Sequence, residues 1–216
     1  MKKNKSYAVF GLGRYGKAVA RELVNSGMDV IAVDLDQNVV NEEAAYIPVC
    51  KCADVTDPEV INRLGISEID FVIVCIAENL EASVMAITLC KEVGVKTVIA
   101  KCSNEMHRKI LLRVGADYVV FPENESGLRL AKNLLSSGII DMLSLSKDVS
   151  VIEIDMKEEW VGKNLIELNL RKKYGLNVVA LKKGENVNVN INPEQPLSSD
   201  TNLIVIGNTS KLVKLK

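Results

Sequence analysis

Histidine, surplus basic charge and long apolar runs are all scarce in this chain of 216 residues. Lys and Arg number 27 against 28 Asp and Glu, a net charge of −1. That balance gives no electrostatic footprint for nucleic acid, and no block of like charge marks a solvated tail. The longest apolar runs have the length of a strand, far short of the ~20 residues a membrane helix needs. Met1–Ser6 is basic, but the apolar run after it is broken at once by Gly11 and Arg14, which argues against a signal peptide. Cysteine is odd in number and scattered (Cys50, Cys52, Cys75, Cys90, Cys102), so no disulfide framework is implied. Reduced thiols in a cytoplasmic protein are the expectation. Cys50 and Cys52 share one strand face and could hold a metal, but no second ligand pair follows at zinc spacing. Small core hydrophobes are the simpler reading.

What is present is a hydrophobic fraction of 48%, enough for a sizeable core without disulfides or metals, and one compact motif. Val9-Phe10-Gly11-Leu12-Gly13-Arg14-Tyr15-Gly16 runs from an apolar strand through a glycine turn into an amphipathic helix. Such a helix start presents bare amides to an anion. Gly11 permits the tight turn, Gly13 lets a pyrophosphate approach the main chain, and Gly16 lets the helix pack on the sheet. A GxGxxG alone is a weak signal; the strand before it, the helix after it and the acids further on strengthen it.

Strand and helix signals alternate as far as Gly138. Apolar, β-branched runs at Tyr7–Phe10, Val30–Val33, Ile47–Cys50, Phe71–Ile76, Thr97–Ala100 and Tyr118–Phe121 suit a parallel sheet buried on both faces. Helical stretches between them stop at glycines 27, 65, 94, 115 and 138, and Asp57-Pro58 reads as a cap and first helical residue. Residues 1–138 therefore read as a doubly wound, Rossmann-type α/β domain of about six strands. Residues 139–147 read as a connector. Residues 148–216 read as a small α+β module, with strands at Val149–Met156, Asn177–Lys182 and Asn202–Ile206. Its helical centre is Lys163–Leu168, its turn is Gly184-Glu185-Asn186, and a short helix is expected at Ser210–Leu215. A module this small is expected to pack on a partner or dimerise.

The ligand-binding candidates cluster at strand ends. Asp34 closes the second strand, where a carboxylate accepts both ribose hydroxyls of an adenosine and repels a 2′-phosphate; the alternative is a turn acid before a helix. Leu35 follows it, and Asp36 reads as a cap. Asp54, after the third strand, could accept from an adenine amino group or serve the start of the next helix. Ile76-Ala77-Glu78-Asn79 lies at the crevice of such sheets: Ala77 permits close approach, while Glu78 and Asn79 are cap candidates. Arg14 and Tyr15 sit inside the glycine turn, where an arginine can clamp a terminal phosphate. Lys101, ending the fifth strand, adds a second cation or a solvated pair. Glu123 reads from spacing as a helix cap, with divalent-cation binding as the alternative.

Hydride transfer needs an acid or base at the nicotinamide and a substrate pocket. The lone His107 lies within an apparent helix and reads as a surface or packing residue. Beyond Leu143 there is no histidine or cysteine. A nucleotide without evident chemistry points to a sensor rather than an enzyme.

These residues resemble the RCK, or KTN, family of regulatory subunits of bacterial Trk/Ktr-type potassium uptake systems. The resemblance rests on Gly11–Gly16, Val33-Asp34, Ile76–Asn79, Lys101 and Gly115-Ala116-Asp117 leading to Pro122-Glu123. It extends to Leu168–Gly175 and Asp200–Gly207 in the C-terminal module. It implies a cytoplasmic subunit, peripheral to the inner face of the membrane, that forms homodimers and then a homo-octameric ring on a separate potassium-translocating membrane subunit. It implies ATP or ADP, with NAD(H) as the alternative, in the N-terminal domain. Arg14 would then meet the terminal phosphate, Asp34 the ribose and Lys101 the phosphates, with Glu123 on Mg2+ or Ca2+. It also implies cyclic di-AMP as a second ligand near Asn169, Arg171, Asn192 and Pro193, although Arg171 and Lys172 read equally as a solvated helix end. A small NAD-dependent oxidoreductase is the competing reading; an NAD(H)-binding repressor is disfavoured by the flat charge.

Overall fold

The computed structural model describes residues 5–135, 139–146 and 148–208, and the chain divides into two compact units, Met1–Asn124 and Glu125–Lys216. In the first, β1 (Ser6–Phe10), β2 (Asp29–Asp34), β3 (Val49–Cys52), β4 (Phe71–Val74), β5 (Thr97–Lys101) and β6 (Tyr118–Val120) form one sheet. The strand order is β3-β2-β1-β4-β5-β6, and every pairing is parallel. The connections are α1 (Arg14–Asn25), α2 (Gln37–Glu43), α3 (Pro58–Arg63), α4 (Leu80–Glu92) and α5 (Glu105–Arg113); α6 (Pro122–Leu135) follows β6. The order reverses between β1 and β4, the switch point at which such sheets receive ligands.

Alternate residues of the central strands β1, β2, β4 and β5 enter opposite cores. Ala8, Phe10, Val72, Val74, Val98 and Ala100 pack with Ile61, Ile87 and Leu111 from α3, α4 and α5. Val9, Val30, Ala32 and Ile73 pack with Ala20 of α1 and with Ile47. Both faces are apolar, which is why the strands read as continuous runs rather than as alternation. Burying a side chain such as Phe10, which is fully enclosed, contributes about 1.5–3 kcal/mol.

Several boundaries differ from expectation. α2 is signalled in the sequence only by the cap reading of Asp36, because its centre, Asn38-Val39-Val40-Asn41, is poor in helix formers. Asp36 starts it, its carboxylate accepting from the Asn38 amide at 2.8 Å. Ile47, expected to open the third strand, lies before β3; it is fully buried and its amide donates to the Glu43 carbonyl at 2.9 Å. β4 stops at Val74 rather than Ile76, and α6 starts at Pro122 rather than Asn124. Asp57, Asn79 and Asn104 cap α3, α4 and α5.

Glu43 holds α2 to α1. It is 1% exposed. Arg21 donates to it twice, from Nε at 2.7 Å and from the guanidinium end at 2.9 Å, while Lys17 stands 3.8 Å away. The Arg21 guanidinium also stacks on Tyr46, 3.8 Å from the ring centroid. Removing one member of such a pair strands a buried charge, whereas removing both does not. Arg21→Met should therefore lower the melting temperature more than Arg21→Met with Glu43→Gln. A thermal-unfolding double-mutant cycle in which the second change gives no recovery would refute that account.

In the second unit, β7 (Ile139–Ser144), β8 (Val149–Ile154), β9 (Asn177–Lys183), β10 (Asn186–Asn188) and β11 (Asn202–Asn208) form an antiparallel sheet ordered β10-β9-β11-β8-β7. α7 (Leu165–Leu168) and α8 (Leu170–Tyr174) accompany it. Ile152, Ile154, Trp160, Leu168, Leu170, Leu176, Leu203 and Val205 make its core. The fold class is the expected one, a doubly wound parallel sheet plus a smaller α+β unit. The stretch expected to be a connector is a strand, however, because β8 supplies the hydrogen-bonding partner that an isolated reading of 139–147 lacks. Asn186, expected in a turn, opens β10: it pairs with Lys183 across the Gly184-Glu185 loop. The helix expected at Ser210–Leu215 and the stop at Gly138 lie outside the described residues.

Candidate functional site

The glycine loop sits at the carboxyl end of β1, directly on the switch point. The three glycines have three different physical reasons. Gly11 has φ +88°, a left-handed backbone that side chains resist. A Cβ there would also meet the Cys75 carbonyl carbon and Ile76 at 3.2 Å. Gly16 packs so closely that a Cβ would overlap the Gly11 carbonyl oxygen and touch Cys75. Gly13 differs: a Cβ would meet nothing of the protein within 4 Å, and its φ of −61° is open to any residue. The space beside it is where a ligand could reach the main chain.

Gly13 is also the N-cap of α1, with no side-chain cap and no acid in the first turn. The first amides of this twelve-residue helix thus keep their anion-binding capacity. Arg14 is the first helical residue and is exposed. Tyr15, half-buried beside it, places its ring 5.9 Å (to the centroid) from Lys101 Nζ. Lys101 ends β5 with a side chain only 16% exposed, and it pairs with Glu123 Oε1 at 2.6 Å. The hydrogen bond from Lys101 holds the Glu123 carboxyl below the ordinary carboxylate range. Beneath the loop, burial pushes the Cys75 thiol up to about 12, against an opposing pull from the Lys101 charge. Cys75 is a packing floor that the sequence reading did not connect to the loop; only its place at the end of β4, facing Gly16, hints at it.

Asp34 closes β2 and braces the loop. Its Oδ2 accepts from the Leu12 amide at 2.6 Å and its Oδ1 from the Asp36 amide at 2.9 Å. The turn-acid alternative is thus realised in part. A carboxylate oxygen bonded once still has acceptor capacity for a hydroxyl. The bond to Leu12 is a second function that spacing did not announce. Leu35, beyond it, is 65% exposed, and its carbonyl accepts from the Cys52 thiol at 3.3 Å.

The outer candidates have local work. Asp54 is exposed and does not cap α3, which Asp57 does; its Oδ1 accepts from the Thr56 amide and hydroxyl at 2.9 and 2.7 Å. Asn79 caps α4, accepting from the Ala82 amide at 3.0 Å. Ala77 lies between, and its amide returns to the Cys75 carbonyl at 3.1 Å. Glu123 is not a cap as spacing suggested but the second residue of α6, where its charge suits the helix dipole. His107 is in the first turn of α5, sharing a hydrogen bond between Nδ1 and Ser103 Oγ at 2.8 Å. Among the described residues, no three His, Cys, Asp or Glu side chains gather as a metal site.

In the second unit, Asn169 and Arg171 line a shallow cavity of about 390 Å³ together with Leu165, Leu176 and Val178. Asn169 takes a left-handed conformation (φ 45°) that breaks α7 from α8 and turns Arg171 outward into solvent. Asn192 and Pro193 do not line the cavity, but the Pro193 carbonyl accepts from the Leu165 amide at 3.1 Å. Pro193 thus contacts the start of α7, while Asn169 caps its other end.

Comparison with known proteins fits this geometry. Residues 7–122 match the TrkA-N domain and residues 149–216 the TrkA-C domain. The chain is 37% identical over 212 residues to Ktr system potassium uptake protein C of Bacillus subtilis (strain 168), covering 98% of this chain and 96% of that protein. It is 32% identical over 214 residues to Ktr system potassium uptake protein A of Vibrio alginolyticus, covering 99% and 97%. Among solved structures the GsuK channel superposes with a TM-score of 0.70 at 16% identity, over 99% of this chain and 39% of that one. The GsuK channel bound to NAD gives 0.65 at 16% identity, over 98% and 38%. The chain thus spans well under half the length of these channel chains, and the likeness concerns the fold. No helix among the described residues is long and apolar enough to cross a membrane.

Proposed function

Because the chain belongs to the family of Trk- and Ktr-type potassium uptake proteins built from a TrkA-N and a TrkA-C domain, we propose that it is a nucleotide-sensing regulatory subunit, not an enzyme. It gates a separate potassium-translocating membrane subunit. The observation that carries this reading is the phosphate end of the site. Free α1 amides, an open approach at Gly13 and the exposed Arg14 share one turn of helix, and the enclosed Lys101 adjoins it through the Tyr15 ring.

In this reading the ribose lies on Asp34, the adenine toward Leu35 and Asp54, and the phosphates pass Gly11 and Gly13. The α1 amides and Ala77 border the path, and Asn79 holds α4 in place beside it. Arg14 and Lys101 take the terminal phosphates of ATP or ADP. Glu123 supplies a carboxylate for Mg2+ or Ca2+ accompanying them. Asp34 equally suits the adenosine ribose of NAD(H), which is the second reading of the same crevice. Subunits pair and assemble into an octameric ring. A nucleotide drives that ring only through differential affinity for its conformations, so the groups that meet the phosphate by which ATP and ADP differ are the input. In the C-terminal unit, Arg171 beside the cavity at Asn169 offers a phosphodiester a bidentate partner, with Asn192 and Pro193 flanking; cyclic di-AMP is the ligand proposed there.

The test is to compare thermal stabilisation by ATP, ADP, NAD and NADH at equal concentration, with and without magnesium or calcium. ATP stabilising most strongly is expected, by about 2.7 kcal/mol at a hundred times its Kd. Stabilisation by NADH alone would overturn the ATP-sensing assignment and favour a redox-reading subunit or an oxidoreductase.

A further inference from the structure

The cation best placed for a phosphate is already committed to an internal anion. Lys101 is the more enclosed partner, 16% exposed, and Glu123 the freer one at 62%. Their 2.6 Å contact lies beside Tyr15, the second residue of α1, whose ring centroid is 5.9 Å from Lys101 Nζ. Glu123, the more exposed of the two, is the partner that can turn to water with the smaller change in its surroundings. A phosphate arriving at the helix turn must take the ammonium from the carboxylate.

We infer that Glu123 is an affinity-setting residue: an internal competitor that occupies Lys101 and is displaced by the terminal phosphates of the ligand. The inference rests on the nucleotide reading above and deepens it. Two charge terms act in the same direction. The ligand loses the strength of the Lys101–Glu123 bond, which is charge-assisted at both ends, and a carboxylate held near the phosphates repels them. Neutralising Glu123 removes both. A ligand without phosphates does not call on Lys101 and is indifferent to the change. A residue that served only as a cation ligand would show the reverse: no effect without the cation and weaker binding with it.

The experiment is calorimetry in EDTA at low salt on the full chain, comparing wild type, Glu123→Gln, Lys101→Met and the double variant. The probes are ATP, ADP, adenosine and inorganic tripolyphosphate. Glu123→Gln is expected to tighten ATP and ADP by about tenfold, the size of one charge-assisted hydrogen bond. Adenosine should stay where it was. In the Lys101→Met background the gain should vanish, since the ammonium over which the two anions compete is gone. An unchanged or weakened ATP affinity in EDTA, or the same gain without Lys101, overturns the inference. If adenine nucleotides bind neither protein but tripolyphosphate shows the Glu123-dependent gain, the nucleotide reading fails while the competition stands. If no probe binds either protein, both fail.

Discussion

Gly16→Ala should destabilise the N-terminal unit by about 3 kcal/mol or more, at the upper end of what overpacking costs, and abolish nucleotide binding with it. The added Cβ falls on the Gly11 carbonyl oxygen and against Cys75. Neither is the free end of a flexible side chain: one is the backbone of the loop itself, the other a residue fixed at the end of β4. α1 would have to lift from the sheet. Its inward face carries Ala20, and its outer anchors are the Arg21 and Lys17 contacts to buried Glu43, so the lift propagates to α2. Gly13→Ala provides the contrast. Its Cβ meets nothing and its backbone is ordinary. The stability change should stay within about 1 kcal/mol, the difference between glycine and alanine as a helix cap. Nucleotide affinity should nevertheless fall by tenfold or more, because the methyl occupies the approach to the main chain. Urea unfolding separates the two variants, and calorimetry should find both impaired. A Gly16→Ala protein as stable as wild type would break the packing argument. A Gly13→Ala protein that binds normally would remove the ligand from this loop.

The pair also shows which parts of the molecule can be read without a structure. Gly11 and Gly16 are legible because a strand–turn–helix leaves few ways to pack, and the four central strands are legible because burial on both faces writes itself as apolar, β-branched runs. α2 is not. Beyond the Asp36 cap, its central residues Asn38-Val39-Val40-Asn41 are poor in helix formers, and the helix is held by Asp36 at one end and by the Glu43 clamp to α1 at the other, a contact no local window contains. β7 is silent for a related reason: its pairing with β8 only exists once the chain has turned back. The same division runs through the site. Position alone nominates Asp34, Arg14 and Lys101. That Asp34 spends one oxygen holding the Leu12 amide, and that Lys101 is bound to Glu123, depends on the loop conformation and on β5 and β6 being neighbours in the sheet. Residue type and spacing nominate the groups; only the fold shows what each is already bonded to, and that determines what a ligand there must displace.

Arg14→Ala should weaken ATP binding by about ten- to a hundredfold, the loss of a charge-assisted contact of ~1.5–3 kcal/mol, and ADP by appreciably less. Arg14 occupies the first helical position, exposed and outside the packed face of α1, so its removal leaves Gly16, Ala20 and the Glu43 clamp untouched. Stability should therefore be unchanged, and an affinity loss can be read as a lost ligand contact. The discrimination follows from reach. In the proposed pose the phosphates closest to the ribose lie over the glycine loop, where the main-chain amides would serve ATP and ADP alike. Arg14, long and exposed at the first position of α1, is the group proposed to meet the phosphate that projects furthest. A contact made only to the last phosphate changes the ratio of the two affinities; one made to an inner phosphate lowers both and leaves the ratio alone. Regulation by the ATP/ADP balance needs the first kind, since a ligand that binds two conformations equally moves neither. Calorimetric titration of both nucleotides into wild type and variant measures that ratio. Equal losses would place Arg14 on a shared phosphate and leave the discrimination to Lys101 and Glu123.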